Sequence, residues 1–158
     1  MGRQRPYSDR EVRTGRWVIR KMTSANVWLY RRSGGRLGGR VLGAPILLLN
    51  TIGRKSGQAR TVPLLYLDDG EALVVVASNG GMPAHPLWFR NLEAAPRVSV
   101  EIRRRRIEVD ARRATEEEKA DYWPRLVKLY RYYDDYKART PRNIPVVILS
   151  RPEGGRVF

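Results

Sequence analysis

Three apolar runs, Ile46 to Thr51, Thr61 to Leu67 and Ala72 to Ser78, follow one another with only nine and then four residues between them. Parallel neighbours need a crossover of a dozen or more residues, so runs this close must pair antiparallel. The connections carry turn chemistry. Gly53-Arg54-Lys55-Ser56-Gly57 makes the first pair a hairpin with a cationic tip, and Asp68-Asp69-Gly70 turns the chain again. Arg97 to Ile102 and Arg106 to Ala111 read as another hairpin, with Arg103 to Arg106 as its charged turn, and Ile144 to Leu149 adds a last strand. Pro86 is placed to open a short helix, Leu87 to Ala94, that Pro96 ends. Thr115 with Glu118 forms a capping box, so a longer helix starts there; it is expected to kink or restart at Pro124 and continue to Lys137. Six short strands with two or three helices form an α+β pattern, most simply closed as a small six-stranded antiparallel barrel. The expected division is a basic N-terminal helix and Gly/Arg connector over 1–42 and the barrel over 43–158.

What such a chain binds is limited by its composition. At 158 residues it can bury ~70% of its unfolded surface around one core. It has no cysteine and a single histidine, His85, which excludes zinc ribbons, redox dithiols and cysteine nucleophiles, and no metal site is expected. The net charge of +15 points to an anionic partner, yet residues 41–100 are nearly balanced, with 5 Lys/Arg against 4 Asp/Glu. The excess sits in residues 1–40, with 11 Lys/Arg against 2 Asp/Glu. There, Val18, Met22, Ala25 and Leu29 follow a helical face from Asp9 to Arg31, flanked by Trp17 and Trp28. Two readings stay open for that helix: it packs on the core, or it lies on an anionic membrane face. Arg31 to Arg40 reads as a flexible connector. Neither a signal peptide nor a membrane span is supported, so the expected location is cytoplasmic; under the second of the two readings residues 1–40 lie peripherally on the inner face of the membrane.

Within the balanced region, Gly53 to Gly57 fails as a P-loop because a strand, not a helix, follows and Arg54 separates Gly53 from Lys55. What remains is a Gly-framed turn beside Arg54, Lys55 and Arg60, suited to phosphate or carboxylates. Five of the eight tyrosines, Tyr122, Tyr130, Tyr132, Tyr133 and Tyr136, fall in the long helix. Each buried hydroxyl needs a partner, so some of them should line a cavity.

The segments Gly43 to Leu49, Gly53 to Gly57, Arg60-Thr61-Val62-Pro63-Leu64, Ala77-Ser78-Asn79-Gly80-Gly81, His85-Pro86 and Trp88-Phe89-Arg90-Asn91-Leu92 resemble the deazaflavin-dependent nitroreductase family. The resemblance is continuous from Gly43 to Ile102 and looser to the last strand. It implies a split β-barrel and hydride transfer from reduced coenzyme F420 to quinones or activated nitroaromatics, with no nucleic-acid partner. It also implies a cofactor cradle made of Arg54, Lys55 and Ser56; Arg60, Thr61, Val62, Pro63, Leu64 and Leu65; Val76, Ala77, Ser78 and Asn79; Leu87, Trp88, Phe89, Arg90 and Asn91; and Tyr133. Ser78, Tyr130, Tyr133 and Tyr136 would be the catalytic groups facing ring and substrate. Phe89, Arg90, Ala95 and Asn50 depart from the commonest wording of the family. An FMN- or haem-related split barrel and a basic nucleic-acid module are the alternatives.

Overall fold

The computed structural model describes Ser8, Arg10 and residues 23–158. The expected Asp9–Arg31 helix therefore lies, up to residue 22 and apart from Arg10, outside the described residues. Residues 23–33 are helical and are termed α1. Five strands follow: β1 (Arg40–Val41), β2 (Ala44–Ile52), β3 (Ala59–Leu65), β4 (Leu67–Asp68) and β5 (Ala72–Val76). A 3-10 turn (Asn79–Gly81) and α2 (Leu87–Ala94) lead to β6 (Arg97–Ile102) and β7 (Arg105–Arg113). The chain closes with α3 (Glu116–Leu129), α4 (Tyr132–Arg139) and β8 (Val146–Ser150).

The strands form one antiparallel sheet in the order β1-β2-β6-β7-β8-β5-β4, with β3 also on β2. Eight strands rather than six are present among the described residues, because two short pairings were not legible as apolar runs. β1 is a two-residue arm folded back on Ala44 and Pro45. β4 is separated from β3 at Tyr66, whose N–H donates to the Pro45 carbonyl at 3.2 Å in the next position of the β2–β3 register; Pro45 has no N–H to return the bond, and the ladder ends there. Residues 59–68 are thus one extended stretch that pairs with β2 through β3 and with β5 through β4, so the sheet curls until this stretch joins its ends.

The central strands are covered on both faces, which is why they read as unbroken apolar runs rather than alternating ones. Leu47, Leu49, Leu73, Val75, Val147 and Leu149 point inward onto Trp88, Phe89 and Leu92 of α2. Val74, Val76, Val146 and Ile148 point outward, under Leu126 of α3 and Tyr133 of α4. Each buried Leu or Val contributes ~1.5–3 kcal/mol relative to an exposed one, so the two layers dominate stability.

α1 covers the outer face of β2 through Tyr30, which is buried against Ile46 and Leu48. Its hydroxyl donates to the Ile46 carbonyl at 3.2 Å and accepts the Arg103 N–H at 2.8 Å. The packed positions are Val27 and Tyr30, whereas Ala25 and Trp28 of the expected stripe are exposed. The Arg/Gly stretch is not a loose connector. Gly35 N–H closes α1 on the Tyr30 carbonyl at 2.8 Å, and the Ser33 hydroxyl takes the Leu37 N–H. Gly35 adopts φ +80°, and a Cβ there would lie 3.1 Å from Arg103 Cα, so only glycine fits between helix and hairpin.

The long C-terminal helix is two helices, and the break lies six residues past Pro124 rather than at it. Tyr130 adopts an extended conformation that ends α3, and α4 restarts at Tyr132. Leu126 of α3 and Tyr133 of α4 are both buried on the outer face of β5 and β8, one on either side of the break.

Candidate active site

β3 pairs with β2 alone, and β5 meets β4 only at Leu73 and Val74. The outer edge of β3 and the chain from Val76 to Asn79 are therefore two unpaired backbone edges. Because β4 continues β3 onto β5, these edges flank one slot in the curled sheet.

At one end of the slot stands the hairpin tip. Gly53 N–H donates to the Gln58 carbonyl and Gly57 N–H to the Gly53 carbonyl, both at 2.8 Å. The Ser56 hydroxyl accepts the Gln58 N–H at 3.3 Å and sits against Gly53, while Gly57 takes φ +68°, where glycine is favoured. Arg54, Lys55, Ser56 and Arg60 are all exposed. The tip is tied to α2 by the buried Asn91, whose Oδ1 accepts the Arg54 N–H at 3.1 Å while its Nδ2 donates to Thr51 Oγ1 at 3.2 Å. Along β3 the side chains alternate. Val62 and Leu64 pack inward, whereas Thr61 lies in the Arg31 network beneath α1 and Leu65 packs on the outer layers. No single ligand can meet all the side chains of residues 60–65; what they share along one edge is backbone.

On the facing wall, toward the same open end because β4 and β5 run antiparallel, the chain turns from β5 into the 3-10 turn. Ser78 and Asn79 are half-buried, and Val76 and Ala77 are buried in the sheet. Arg142, which the sequence reading did not single out, lies behind this turn. Its Nε donates to the Met82 carbonyl at 2.9 Å, Nη1 to Ala77 at 3.3 Å and Nη2 to Ser78 at 2.6 Å. Nη1 also meets His85 Nδ1 at 2.9 Å. Burial and the neighbouring Arg142 charge push His85 below its usual pKa, so the ring is neutral at neutral pH and Nδ1 accepts. The His85 ring meets Phe89 at 5.1 Å with the planes tilted by 59°, which links the turn to α2.

Gly81 seats the turn on α4, where a Cβ would lie 2.7 Å from the Tyr136 carbonyl. The Tyr130 and Tyr136 hydroxyls are 3.1 Å apart, and both rings are half-buried. Tyr133 is only 4% exposed, with its ring 5.1 Å from Tyr130 and 6.5 Å from Tyr136. Burial, then the adjacent Tyr130 and Tyr136, push its phenol well above the usual range. In α2, Leu87 and Arg90 reach the surface, whereas Trp88 and Phe89 are core residues. Of the cradle residues, Val76, Ala77, Trp88, Phe89, Asn91 and Tyr133 can shape the site or offer backbone, but their side chains are enclosed. Arg142 left no signal in the sequence because one more arginine after Pro141 in a chain of 31 Lys/Arg has no pattern to belong to. Among the described residues no group of His, Asp or Glu could hold a metal ion.

The family described as F420H(2)-dependent quinone reductase matches residues 22–151. An F420H(2)-dependent quinone reductase of Mycobacterium tuberculosis is 42% identical over 129 residues, covering 78% of this chain and 85% of that protein. A solved F420-H2 dependent reductase, FDR-A, is 39% identical with TM-score 0.62, covering 67% of this chain and 94% of that one. The haem storage protein HutZ of Vibrio cholerae shares the fold alone, at 14% identity and TM-score 0.52 over 82% of this chain and 89% of its own. With a curled antiparallel sheet, a cationic hairpin at a two-edged slot and this match over most of its length, the chain belongs to the F420H(2)-dependent quinone reductase family.

Proposed function

We propose that this protein reduces quinones by hydride transfer from reduced coenzyme F420, bound in the slot between β3 and the Val76–Asn79 edge. The observation that carries this reading is the cationic tip, fixed by Asn91 at one end of a slot whose two walls offer unpaired backbone. A phosphate and carboxylate tail suits Arg54, Lys55 and Arg60, and a flat ring bearing carbonyl and N–H groups suits two strand edges. Coenzyme F420, when bound, supplies the hydride, and the residues around it orient and polarise. Ser78, Tyr130 and Tyr136 meet ring and substrate and hold the proton that follows the hydride. Tyr133 is the floor beneath Tyr130 and Tyr136. Activated nitroaromatics, planar and electron-poor like quinones, are a second acceptor class for the same slot. The sheet is best read as a split β-barrel, since residues 59–68 serve both of its ends.

A fluorescence titration with coenzyme F420 and FMN tests the reading. The deazaflavin should bind at micromolar level or tighter, ~ −8 kcal/mol, and FMN much more weakly; preference for FMN would refute it. Lys55→Ala or Arg60→Ala should weaken binding about tenfold, more so as glutamates are added to the tail.

The basic residues 1–40 favour a location on the inner membrane face, where lipid-soluble quinones reside. The contact we propose is peripheral, and no helix among the described residues is long and apolar enough to cross a membrane. Removing residues 1–22 should abolish salt-sensitive sedimentation with anionic vesicles and leave coenzyme affinity unchanged.

A further inference from the structure

The turn after β5 follows a left-handed course that its Asn-Gly-Gly sequence is suited to adopt. Ser78 is in the right-handed region (φ −71°, ψ −34°), and Asn79, Gly80 and Gly81 then take φ of +47°, +62° and +75°. Such a sequence can take several turn geometries, so which one it holds is decided by what its carbonyls and N–H groups bond to. A right-handed residue followed by a left-handed one also brings successive N–H groups together into a concavity that takes a partial negative charge.

The turn is held by the Asn79 Nδ2 bond to the Ala84 carbonyl at 2.9 Å, by the seating of Gly81 on α4 and, from behind, by Arg142. Its guanidinium gathers the carbonyls of Ala77, Ser78 and Met82 and rests on neutral His85. A trans peptide is planar, with its C=O and N–H pointing in opposite directions. Aiming the Ala77 carbonyl at Arg142 therefore points the Ser78 N–H the other way, and aiming the Ser78 carbonyl there does the same for the Asn79 N–H. Ala77 N–H bonds to the Pro145 carbonyl on the β8 side, so by strand alternation Ser78 N–H faces the opposite side, where β5 has lost β4 and the slot begins. A cation at the carbonyl end of both peptides also polarises them and strengthens the two donors. Among the described residues the guanidinium has no carboxylate partner: its half-buried charge is given to three backbone carbonyls and the neutral His85 ring.

We propose that Arg142 is a positioning residue that turns the Ser78 and Asn79 N–H groups into the slot as a paired donor for a ring carbonyl oxygen, of coenzyme or of quinone, that gains negative charge. This rests on the slot being the hydride-transfer site. Donors preorganised toward developing charge are among the largest contributions to rate, and these two belong to the backbone, where no side-chain pattern reveals them.

The test compares wild type with Arg142→Met and Arg142→Lys. In the ligand-free protein, amide exchange at Gly81 and Met82, whose N–H groups bond to the Ser78 and Asn79 carbonyls, should quicken at least tenfold in Arg142→Met, while Val74 to Val76 stay protected. Coenzyme Kd and kcat with a quinone are then measured separately. A tenfold or greater rise in coenzyme Kd assigns the oxygen to the coenzyme; a comparable fall in kcat at unchanged Kd assigns it to the quinone. Lysine keeps the charge but cannot span three carbonyls, so Arg142→Lys should shift the same quantities less. It also carries the test if loss of protection at Val74 to Val76 shows that the methionine variant does not fold. Faster exchange with Kd and kcat unchanged would make Arg142 merely structural and overturn the proposal, as would unchanged exchange. Wild-type protein that binds no coenzyme would instead refute the proposed function, and the ligand-free exchange contrast tells the two failures apart.

Discussion

Tyr130 and Tyr136 hold their hydroxyls 3.1 Å apart, so one phenol donates to the other and the acceptor's own hydrogen is directed elsewhere. Removing either hydroxyl breaks the pair. Tyr130→Phe and Tyr136→Phe should each lower single-turnover quinone reduction more than they lower coenzyme affinity. The double variant should cost less than the sum of the two, which a double-mutant cycle reads directly. Tyr133→Phe should leave the rate near wild type, because that ring is enclosed and its phenol is pushed far above the usual range by burial. Wild-type rates in Tyr130→Phe and Tyr136→Phe would move the proton role to Ser78 or water. His85 supplies a pH prediction at the same scale. Burial and then Arg142 depress its folded pKa below 6.5, with Arg113 and Arg90 acting the same way and Glu93 opposing. Stability from the neutral ring is therefore fully present above pH 6.5 and is lost as pH falls through the lower folded value. Denaturant midpoints should fall on acidification below pH 6.5, and His85→Gln, which keeps an acceptor but does not titrate, should flatten that part of the profile.

Among the elements, α3 was the most legible because its start is written in side chains. Thr115 accepts the Glu118 N–H at 3.1 Å, and Glu118 accepts the Thr115 N–H at 2.9 Å while pairing with Arg112. Thr115→Ala should cost about 1 kcal/mol, lowering Tm by roughly 2–4 °C in a chain of this size. Hydrogen bonds from Arg112 and then from the Thr115 backbone pull Glu118 down to about 2. Its contribution is therefore present above pH 4.5 and disappears as pH falls toward 2. The end of the helix was not legible. Pro124 is the obvious breaker, yet α3 passes through it, because tertiary packing of Leu126 outweighs one lost backbone bond. The break came at Tyr130, which no local rule marks, and Leu126 and Tyr133 pack on the sheet on either side of it. Strand β3 teaches the same lesson: residues 60–65 were legible as a strand, but alternation divides their side chains between two faces.

At the scale of the whole molecule, α1 is tied across three strands. Arg31 Nη2 donates to Glu101 Oε1 at 2.7 Å, to Asn50 Oδ1 at 3.2 Å and to Thr61 Oγ1 at 3.3 Å, so β6, β2 and β3 share one cation. Burial would raise the Glu101 pKa, but hydrogen bonds from Arg31 and Asn50 and the charges of Arg31 and Arg106 outweigh it and hold the carboxyl below its usual range. Arg31 is 46% exposed, so the pair itself adds little; its importance lies in connecting α1 to the strand that walls the slot. Arg31→Ala should speed proteolysis within residues 23–39 and weaken coenzyme binding modestly, about two- to threefold, at nearly unchanged Tm. Protease resistance equal to wild type would show that Tyr30 holds the helix alone.

Apolar runs, turn residues and capping signals determined the six longer strands, the position of α2 and the start of α3, because each rests on contacts or dihedrals within a few residues. They also placed the cationic tip, since a Gly-framed basic turn between two strands has only one way to sit. What the tertiary structure alone decided are the pairings between distant segments: Tyr30 under the arginine hairpin, Asn91 bridging tip and helix, and residues 59–68 shared between both ends of the sheet. Arg142 belongs to this group as well. A guanidinium that serves backbone carbonyls 60 to 65 positions earlier in the chain makes no local pattern, and only the closing of the sheet brings it behind the turn it holds.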